Sequence, residues 1–283
     1  MLHYSLASQC EVSQVLKNIN WTVREGDRYH LQGANGISSV LCSSTNAWEL
    51  KTYFIISGSG KTTLMSLLTG DHPQSYTQLP PRSQLTLFGR PRSLIPTPLL
   101  RSLIGIVSPE LFNAFPRHGG MSVWGAVGTG FDGGFVPLGQ RGVGLGLAGS
   151  LTEKEIEWRV SRVENVLNGL GPHTWTRSKA TRDPTATPGT FARRAFVDIS
   201  AGEQSMVLLM RALVAQPKLV LLDEVWSGMD EDMITAGRTY LRNGGVTPKQ
   251  VVIMVSHWEE EVPWQTADGV KRFSLDAGEG REL

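Results

Sequence analysis

The chain has 283 residues, which is enough for one large domain or two small ones with a sizeable buried core. Hydrophobic residues make up 40% and charged residues 19%, and the formal net charge is +1. This charge gives no reason to expect a nucleic-acid surface or a polyacidic partner. The two cysteines, Cys10 and Cys42, form neither a metal-binding spacing nor a disulfide framework, so a reducing compartment is the default.

No apolar run approaches the ~20 residues that a membrane-spanning helix needs. The longest weakly polar stretch, residues 121–151, is interrupted by charged side chains and is dense in glycine. The N-terminal residues show neither a secretory signal nor a convincing transit peptide. We therefore expect a protein without a membrane span of its own and a cytoplasmic location, with a mitochondrial location left open.

The first part of the chain predicts strands around one short helix. Alternating apolar residues predict a strand in the second half of 15–23, and a second strand at 28–32 leads into a glycine-containing stretch. A short helix at 62–69 is expected to end there because Gly70 follows it. Further strand candidates are 85–88 and 104–107.

The middle of the chain predicts a loop, a helix and a connection. Residues 119–149 contain about a dozen glycines, too many for a regular element, so we predict a loop. Thr152 and Glu155 can form a capping box that starts a helix with one apolar face, which ends before Gly171. Residues 172–195 are rich in Thr, Pro and Arg and predict an exposed connection.

The last part alternates helix and strand. Ser200 can cap a helix that reaches Gln216. The elements predicted after it are a strand at 219–223, a helix at about 231–242, a strand at 251–255 and a strand-like tail at 270–275. Strands that alternate with helices predict a parallel sheet.

A phosphate-binding motif is formed by Gly58, Ser59, Gly60, Lys61, Thr62 and Thr63. The glycines let the backbone curl so that successive N–H groups point at one anion, and the following helix adds its N-terminal dipole. Lys61 would reach the terminal phosphates, and Thr62 would ligate Mg²⁺. Taken alone, these residues could also be a Gly-Ser linker before a surface lysine.

The motif is irregular because the position five residues before Gly60 is Ile55 rather than glycine. Deleting residues 37–58, a stretch of 22 residues, would join the run Gly33-Ala34-Asn35-Gly36 to the rest of the motif as an unbroken phosphate loop. We therefore hypothesise that 37–58 is an in-frame insertion, such as a retained intron. The alternative is that residues 53–56 are themselves the strand that feeds the loop.

An acidic strand end follows about 160 positions later, at residues 219–224. Its uninterrupted apolar run predicts a central strand buried on both faces. Asp223 at its end would hold Mg²⁺ through water, and Glu224 would polarise an attacking water. In isolation these residues could be a strand that ends in an acidic turn, but the phosphate motif upstream favours a nucleotide site.

Two further segments could contact phosphate. Ser200, Gly202 and Glu203 lie at a predicted helix N-terminus, where a hydroxyl and exposed N–H groups offer a second cradle. His257 follows the strand at 251–255, where its imidazole could hydrogen-bond a terminal phosphate. Alone, the first segment is a capped helix and the second a structural histidine.

In this order and approximate spacing, the motifs resemble those of an ABC-type ATPase cassette. The segments that carry the resemblance are Gly-Ala-Asn-Gly with Ser-Gly-Lys-Thr-Thr, Ser-Ala-Gly-Glu-Gln, Leu-Leu-Asp-Glu, Ser227-Gly228-Met229-Asp230 and Ser256-His257. Residues 70–74 and 107–110 are most similar to soluble twin-cassette ABC proteins of the bacterial molybdenum-transport or photorepair type. The chain resembles their second cassette alone.

The resemblance implies an α/β fold, a P-loop NTPase with a mostly parallel central sheet, an antiparallel β edge and a helical subdomain. It implies one cassette over residues 1–283. The expected divisions are a core at 1–108 and 205–283, a helical and signature subdomain at about 109–204, and the insertion at 37–58. The expected activity is binding and hydrolysis of ATP, with ATP and Mg²⁺ as cofactors.

The resemblance also assigns roles to single residues. The phosphate-binding set would be Gly33, Asn35, Gly36, Gly58, Ser59, Gly60, Lys61, Thr62 and Thr63. Thr62 and Asp223 would hold Mg²⁺, Glu224 would be the catalytic base and His257 the switch histidine. Two cassettes of this family face each other head to tail, so Ser200, Gly202 and Glu203 would meet a nucleotide held by the partner. The expected partner is a second cassette, in a homodimer or in another chain, and no nucleic acid is expected.

The chain departs from the family pattern at several positions. Where many cassettes have a glutamine that contacts magnesium, this chain has Ser108-Pro109-Glu110, which adds a negative charge. Ala201 replaces a glycine, and Val225 replaces the proline after the catalytic glutamate. No aromatic residue that stacks on adenine is evident. A catalytically impaired nucleotide-binding or scaffold protein, and a transporter subunit whose membrane part is another chain, remain alternatives.

Overall fold

The computed structural model describes residues 16–17, 19–33, 60–76, 85–117, 119–176, 187–276 and 278–283. The predicted insertion at 37–58 and the alternative strand at 53–56 lie outside these residues.

Within the described residues, a six-stranded sheet forms the centre of the fold. In chain order, the strands of this sheet and of a separate two-stranded pair are β1 (Arg28–Gln32), β2 (Thr86–Leu87), β3 (Arg90–Pro91), β4 (Ile104–Val107), β5 (Leu219–Asp223), β6 (Val251–Val255), β7 (Val270–Asp276) and β8 (Glu279–Glu282). The sheet order is β4-β5-β6-β1-β7-β8, and β2 and β3 form a separate pair. Neighbours from β4 to β7 are parallel, whereas β7 and β8 are antiparallel. The prediction of a mostly parallel sheet with an antiparallel edge is confirmed.

Helices lie on both faces of this sheet. They are α1 (Lys61–Thr69), α2 (Thr97–Leu103), α3 (Pro109–Ala114), α4 (Val123–Gly128), α5 (Glu153–Leu170), α6 (Pro188–Arg193), α7 (Ala201–Val214) and α8 (Glu231–Tyr240). Capping boxes start α5 at Thr152 and α7 at Ser200, as the spacing of their hydroxyl and carboxylate side chains predicts. Among the described residues, no helix is long and apolar enough to cross a membrane.

The loop predicted at 119–149 contains a helix, α4, and that prediction was wrong. The prediction treated every glycine as a loop residue, whereas some of these glycines provide room for close packing. A Cβ atom on Gly128 would lie 2.0 Å from the carbonyl oxygen of Gly142. A Cβ atom on Gly130, just after α4, would lie 2.1 Å from the carbonyl oxygen of Arg211 in α7.

Two other sequence predictions need correction. The connection predicted to be exposed at 172–195 includes α6, whose Phe191 is 1% exposed because it packs into the core beside α5. The strand expected in the second half of 15–23 is absent from residues 19–23. In this region Lys17 forms an isolated bridge with Glu279. The alternation at 19–23 instead reflects packing of Ile19, Trp21 and Val23 against the apolar cluster on one face of the sheet.

In the part of the chain that the structure describes, the apolar core consists of two clusters on opposite faces of the sheet. Val220 and Leu222 of β5 face the cluster that contains α4, α5 and α7. Leu219 and Leu221 face the cluster that contains α1. The strand is therefore covered on both faces, as its continuous apolar run predicts.

Parallel pairing places four strand ends at one edge of the sheet. Val107 pairs with Leu222, and Asp223 pairs with Val255. The adjacent strand β1 runs parallel to β6, with Leu31 opposite Val255. The carboxyl ends of β4, β5, β6 and β1 thus lie side by side, which is where ligands bind in open α/β sheets.

Candidate functional site

Lys61 connects the first turn of α1 to the end of β1. It follows Gly60, whose φ of 90° is in the left-handed region that favours glycine. The Nζ atom of Lys61 donates to the carbonyl oxygen of Gly33 at 2.6 Å, and the residue is 9% exposed. Burial lowers the pKa of Lys61, while the carboxylates of Asp223 and Glu224 act in the opposite direction. The amine therefore lies within electrostatic reach of both carboxylates at the end of β5.

Asp223 lies in a cluster of carboxylates. Burial, with the nearby carboxylates of Glu110 and Glu224, raises the pKa of Asp223 to about 6, and Lys61 acts in the opposite direction. Glu110 belongs to α3, which follows β4, the strand next to β5. Like charges confined in a partly buried site disfavour ionisation of each carboxyl group, and a divalent cation would neutralise them.

Glu224 and His257 form the more open side of the cluster. The His257 Nε2 atom lies 3.6 Å from Glu224 Oε1, and the side chains are 37% and 48% exposed, respectively. Glu224 has a φ of 46°, in the left-handed region that residues with a Cβ atom rarely occupy. Its backbone N–H donates to the carbonyl oxygen of Val255 at 3.2 Å, which holds the turn after β5 against β6. Strained backbone of this kind is concentrated at functional sites.

The predicted signature residues lie at the N-terminus of α7. Ser200 Oγ accepts a hydrogen bond from the backbone N–H of Glu203 at 3.2 Å, and Glu203 Oε2 accepts one from the N–H of Ser200 at 2.8 Å. Glu203 also pairs with Arg194 at 3.2 Å. A Cβ atom on Gly202 would lie 2.7 Å from the carbonyl oxygen of Gly228, so α7 starts against the turn that follows Glu224.

The structure brings together Gly33, Lys61, Asp223, Glu224 and His257. Thr62 is exposed and Thr63 half-buried on the first turn of α1. Asn35, Gly36, Gly58 and Ser59 lie outside the described residues. Within the described ranges, no group of three or more His, Cys, Asp and Glu side chains could hold a metal ion.

Sequence reasoning did not place Glu110 beside Asp223. It identified Glu110 as a charged departure from a glutamine, without a structural neighbour. The pairing of β4 with β5 supplies the neighbour, because it sets the residues that follow the two strands side by side. Strand order depends on the whole fold, so no local spacing signalled this contact.

Comparison with known proteins identifies the family. A family model described as ABC transporter matches residues 51–227, more than half of the chain. An uncharacterized ABC transporter ATP-binding protein of Schizosaccharomyces pombe is 29% identical over 258 residues, covering 88% of this chain and 39% of that protein. The ABC transporter ATP-binding protein ModF of Escherichia coli is 29% identical over 254 residues, with coverage of 88% and 39%. The chain thus spans about two fifths of the length of these relatives.

Solved structures show the same fold. A dimeric ATP-binding cassette in a post-hydrolysis state, bound to ADP and Pi, has a TM-score of 0.58 at 17% identity, with coverage of 95% of this chain and 90% of that one. A bacterial Atm1-family ABC exporter with ATP bound has a TM-score of 0.57 at 16% identity, with coverage of 95% and 35%. The sheet order, the charged cluster at the strand ends and the family model all point to the same fold. The chain belongs to the ABC transporter family and has the fold of its P-loop ATPase cassette.

Proposed function

We propose that the chain binds ATP with Mg²⁺ and hydrolyses it at the cluster formed by Lys61, Asp223, Glu224 and His257. The observation that carries this proposal is the convergence of the amine of Lys61 with two carboxylates at the carboxyl edge of the sheet. The phosphate motif and the acidic strand end are far apart in sequence, yet they contribute to one charged cluster. This chain's relatives in Escherichia coli and in two yeasts are named ATP-binding proteins, which supports the same ligand.

The residues present fit a triphosphate with its metal. Lys61 is a buried cation at a helix N-terminus, the environment in which proteins bind phosphate. Mg²⁺ commonly takes one or two carboxylates together with phosphate oxygens, and Asp223 with the hydroxyl of Thr62 supplies such a donor set. Bound Mg²⁺ would polarise the phosphates, and it would also offset the mutual repulsion of Asp223, Glu110 and Glu224.

Each protein group then has one task. Lys61 exchanges its bond with the Gly33 carbonyl for bonds to the terminal phosphates. Glu224 accepts a proton from the attacking water, for which its half-exposed carboxylate is available. His257 donates a hydrogen bond to the terminal phosphate. Its Nε2 atom lies 3.6 Å from Glu224 Oε1, so it also orients the carboxylate of Glu224. Positioning and charge stabilisation account for most of the catalysis in phosphoryl transfer, and these groups would supply this chain's share of both.

The proposed partner is a second cassette, either another copy of this chain or a homologous one. The solved cassettes of the same fold include dimers. Ser200 is exposed at the N-terminus of α7, where its hydroxyl and the helix dipole suit an anion from outside the chain, although its backbone N–H already donates to Glu203. Gly202 is buried two residues further along, against the carbonyl oxygen of Gly228. Glu203, by contrast, is engaged in the capping box and with Arg194, so we assign it to holding this N-terminus in shape.

Release of inorganic phosphate from ATP tests the proposal. The wild-type chain should hydrolyse ATP in a Mg²⁺-dependent way. Glu224→Gln, which keeps the size of the side chain but removes the base, should lower turnover at least about 100-fold while ATP binding persists. Equal turnover of the wild type and Glu224→Gln would contradict the proposed role of this residue. A lack of both ATP binding and turnover would contradict the function.

We further propose that residues 37–58 interrupt a phosphate loop that starts at Gly33. Two observations support this: β1 lies between β6 and β7 in the sheet, and the carbonyl of Gly33 directly follows β1 and accepts from Lys61. Without these 22 residues, Lys61 would stand six positions after Gly33, which is the spacing of a regular phosphate loop. The cassette core would then consist of 1–108 and 205–283, with the helical subdomain at about 109–204.

Deletion of 37–58 tests the interruption. The shortened chain should hydrolyse ATP faster than the full chain, and Glu224→Gln should abolish the activity in both backgrounds. Equal turnover of the two forms would show that the segment does not impair the loop. Loss of ATP binding in the shortened chain would favour residues 53–56 as the strand that feeds the loop. Sequencing the transcript would show whether the segment is present in the message.

A further inference from the structure

A buried histidine outside the proposed catalytic set lies directly beneath the site. His30 is in the middle of β1 and is 2% exposed. Its Nε2 atom lies 3.0 Å from Ser256 Oγ and 3.3 Å from the carbonyl oxygen of Ser256. Its Nδ1 atom lies 3.1 Å from the side-chain nitrogen of Gln32. Both ring nitrogens therefore have partners on opposite sides of the ring.

These partners fix the direction of each hydrogen bond. An amide nitrogen can only donate, so Gln32 Nε2 donates to His30 Nδ1. The proton of the neutral ring must then be on Nε2, which donates to Ser256 Oγ. The hydroxyl of Ser256 in turn donates to the carbonyl oxygen of Trp258 at 2.9 Å. The result is a relay of three hydrogen bonds that all point from Gln32 towards Trp258.

The two ends of the relay adjoin two parts of the proposed ATP site. Gln32 directly precedes Gly33, whose carbonyl accepts from Lys61. Ser256 and Trp258 flank His257, and both are held by the relay although His257 itself points outward. A small displacement of the end of β1 would therefore move the backbone on either side of His257 through these hydrogen bonds.

We propose that His30 is a positioning residue that couples the end of β1 to the His257 segment, and thereby sets the geometry between His257 and Glu224. This inference rests on the proposed ATPase function of the site. The relay needs the neutral imidazole, since a protonated Nδ1 would face the amide N–H of Gln32 instead of accepting from it. Burial lowers the pKa of His30, in keeping with a neutral ring.

Two charged side chains act on His30 in opposite directions. Glu259, in the segment after His257, raises the pKa of His30, and Arg272, opposite His30 on β7, lowers it. These two side chains pair with each other at 2.7 Å. The carbonyl oxygen of Ser256 also raises the pKa of His30, because it accepts a hydrogen bond from the ring.

Three substitutions separate positioning from simple packing. His30→Phe keeps a ring of similar size but removes both hydrogen bonds, whereas His30→Gln retains a side-chain N–H that can reach Ser256. Ser256→Ala removes the middle hydroxyl only. If His30 positions His257, His30→Phe and Ser256→Ala should lower kcat about tenfold with little change in KM for ATP, and His30→Gln should recover most of kcat. Equal kcat in Phe and Gln variants, or wild-type kcat in Ser256→Ala, would overturn the proposal.

Nitrogen-15 NMR of the histidine rings tests the relay without turnover. The wild type should show His30 as the neutral tautomer protonated at Nε2, and Ser256→Ala should shift the ring resonances of His257. A tautomer protonated at Nδ1, or His257 resonances that do not change, would overturn the inference even if the protein hydrolyses ATP. A protein that shows the relay but neither binds nor hydrolyses ATP would instead contradict the proposed function alone. Because Ser256→Ala deletes one hydroxyl, this arm stands even if His30→Phe does not fold.

Discussion

The pKa of Asp223 can be measured in the nucleotide-free protein, and it depends on how the site is built. Its pKa is raised to about 6 by burial and by the carboxylates of Glu110 and Glu224. In an unfolded chain an aspartate has a pKa near 3.9. The folded protein therefore binds this proton more tightly than the unfolded chain does. The contribution of this proton to the stability of the folded state is present at low pH and is lost as the pH rises through about 6.

Asp223→Asn should therefore stabilise the nucleotide-free protein at neutral and higher pH. The amide cannot ionise, so the repulsion from Glu110 and Glu224 is removed. We expect the free energy of unfolding to rise by on the order of 2 kcal/mol at pH 8 and to be nearly unchanged at pH 4. Urea denaturation at both pH values measures this, with Glu164→Gln on the exposed face of α5 as the control for a lost carboxylate. A gain of the same size at both pH values would contradict the electrostatic explanation.

At the scale of secondary-structure elements, α7 is held against the sheet by a contact that has no room for a side chain. A Cβ atom on Gly105 in β4 would lie 2.0 Å from the carbonyl oxygen of Ala212 in α7. Since α7 also carries the predicted signature residues at its N-terminus, this contact fixes where those residues lie relative to β5. A substitution at Gly105 must move either the helix or the strand.

Gly105→Ala should lower the free energy of unfolding by about 1–3 kcal/mol, because it overpacks the interface between β4 and α7. Gly189→Ala is the matched control: Gly189 lies in α6, and a Cβ atom there would meet nothing within 4 Å. We expect this control to be neutral or slightly stabilising. Chemical denaturation of the two variants measures the difference. Equal effects of the two substitutions would contradict the close approach of α7 to β4.

The sequence predicted those elements whose signals are local. The capping boxes at Thr152 and Ser200 and the apolar run before Asp223 each follow from a few neighbouring residues, and the structure has all three. It failed at α4 because a glycine can serve close packing as well as a turn, and composition does not distinguish the two uses. It failed at α6 because residues rich in Thr, Pro and Arg surround the buried Phe191.

The candidate site was predictable in its chemistry but not in its contacts. Lys61, Asp223 and Glu224 are recognisable from motifs, since phosphate and metal binding need those side chains. Strand order places Glu110 near Asp223, since β4 lies beside β5, and His30 against Ser256, since β1 lies beside β6. Strand order is set by the packing of the whole sheet, so such contacts appear only with the fold.

At the scale of the whole molecule, we expect the length of the connection between Gly33 and Lys61 to affect stability as well as the proposed catalysis. The entropic cost of closing a loop grows with the logarithm of its length. Removing residues 37–58 shortens this connection, so the deletion should raise the free energy of unfolding by about 1 kcal/mol. Denaturant titration of both forms in the absence of nucleotide measures the change. A marked loss of stability would show that the segment contributes packing that the rest of the fold requires.

The central claim is that Lys61 and the carboxylates at the end of β5 form one site for ATP and Mg²⁺. Calorimetric titration of ATP into the Glu224→Gln variant, with and without Mg²⁺, tests it without interference from turnover. We predict saturable binding that depends on Mg²⁺ and that weakens about 10- to 100-fold when Lys61→Ala is added, since a charged hydrogen-bond donor is lost. Binding of equal strength with and without the Lys61 amine, or no binding in either variant, would contradict the account.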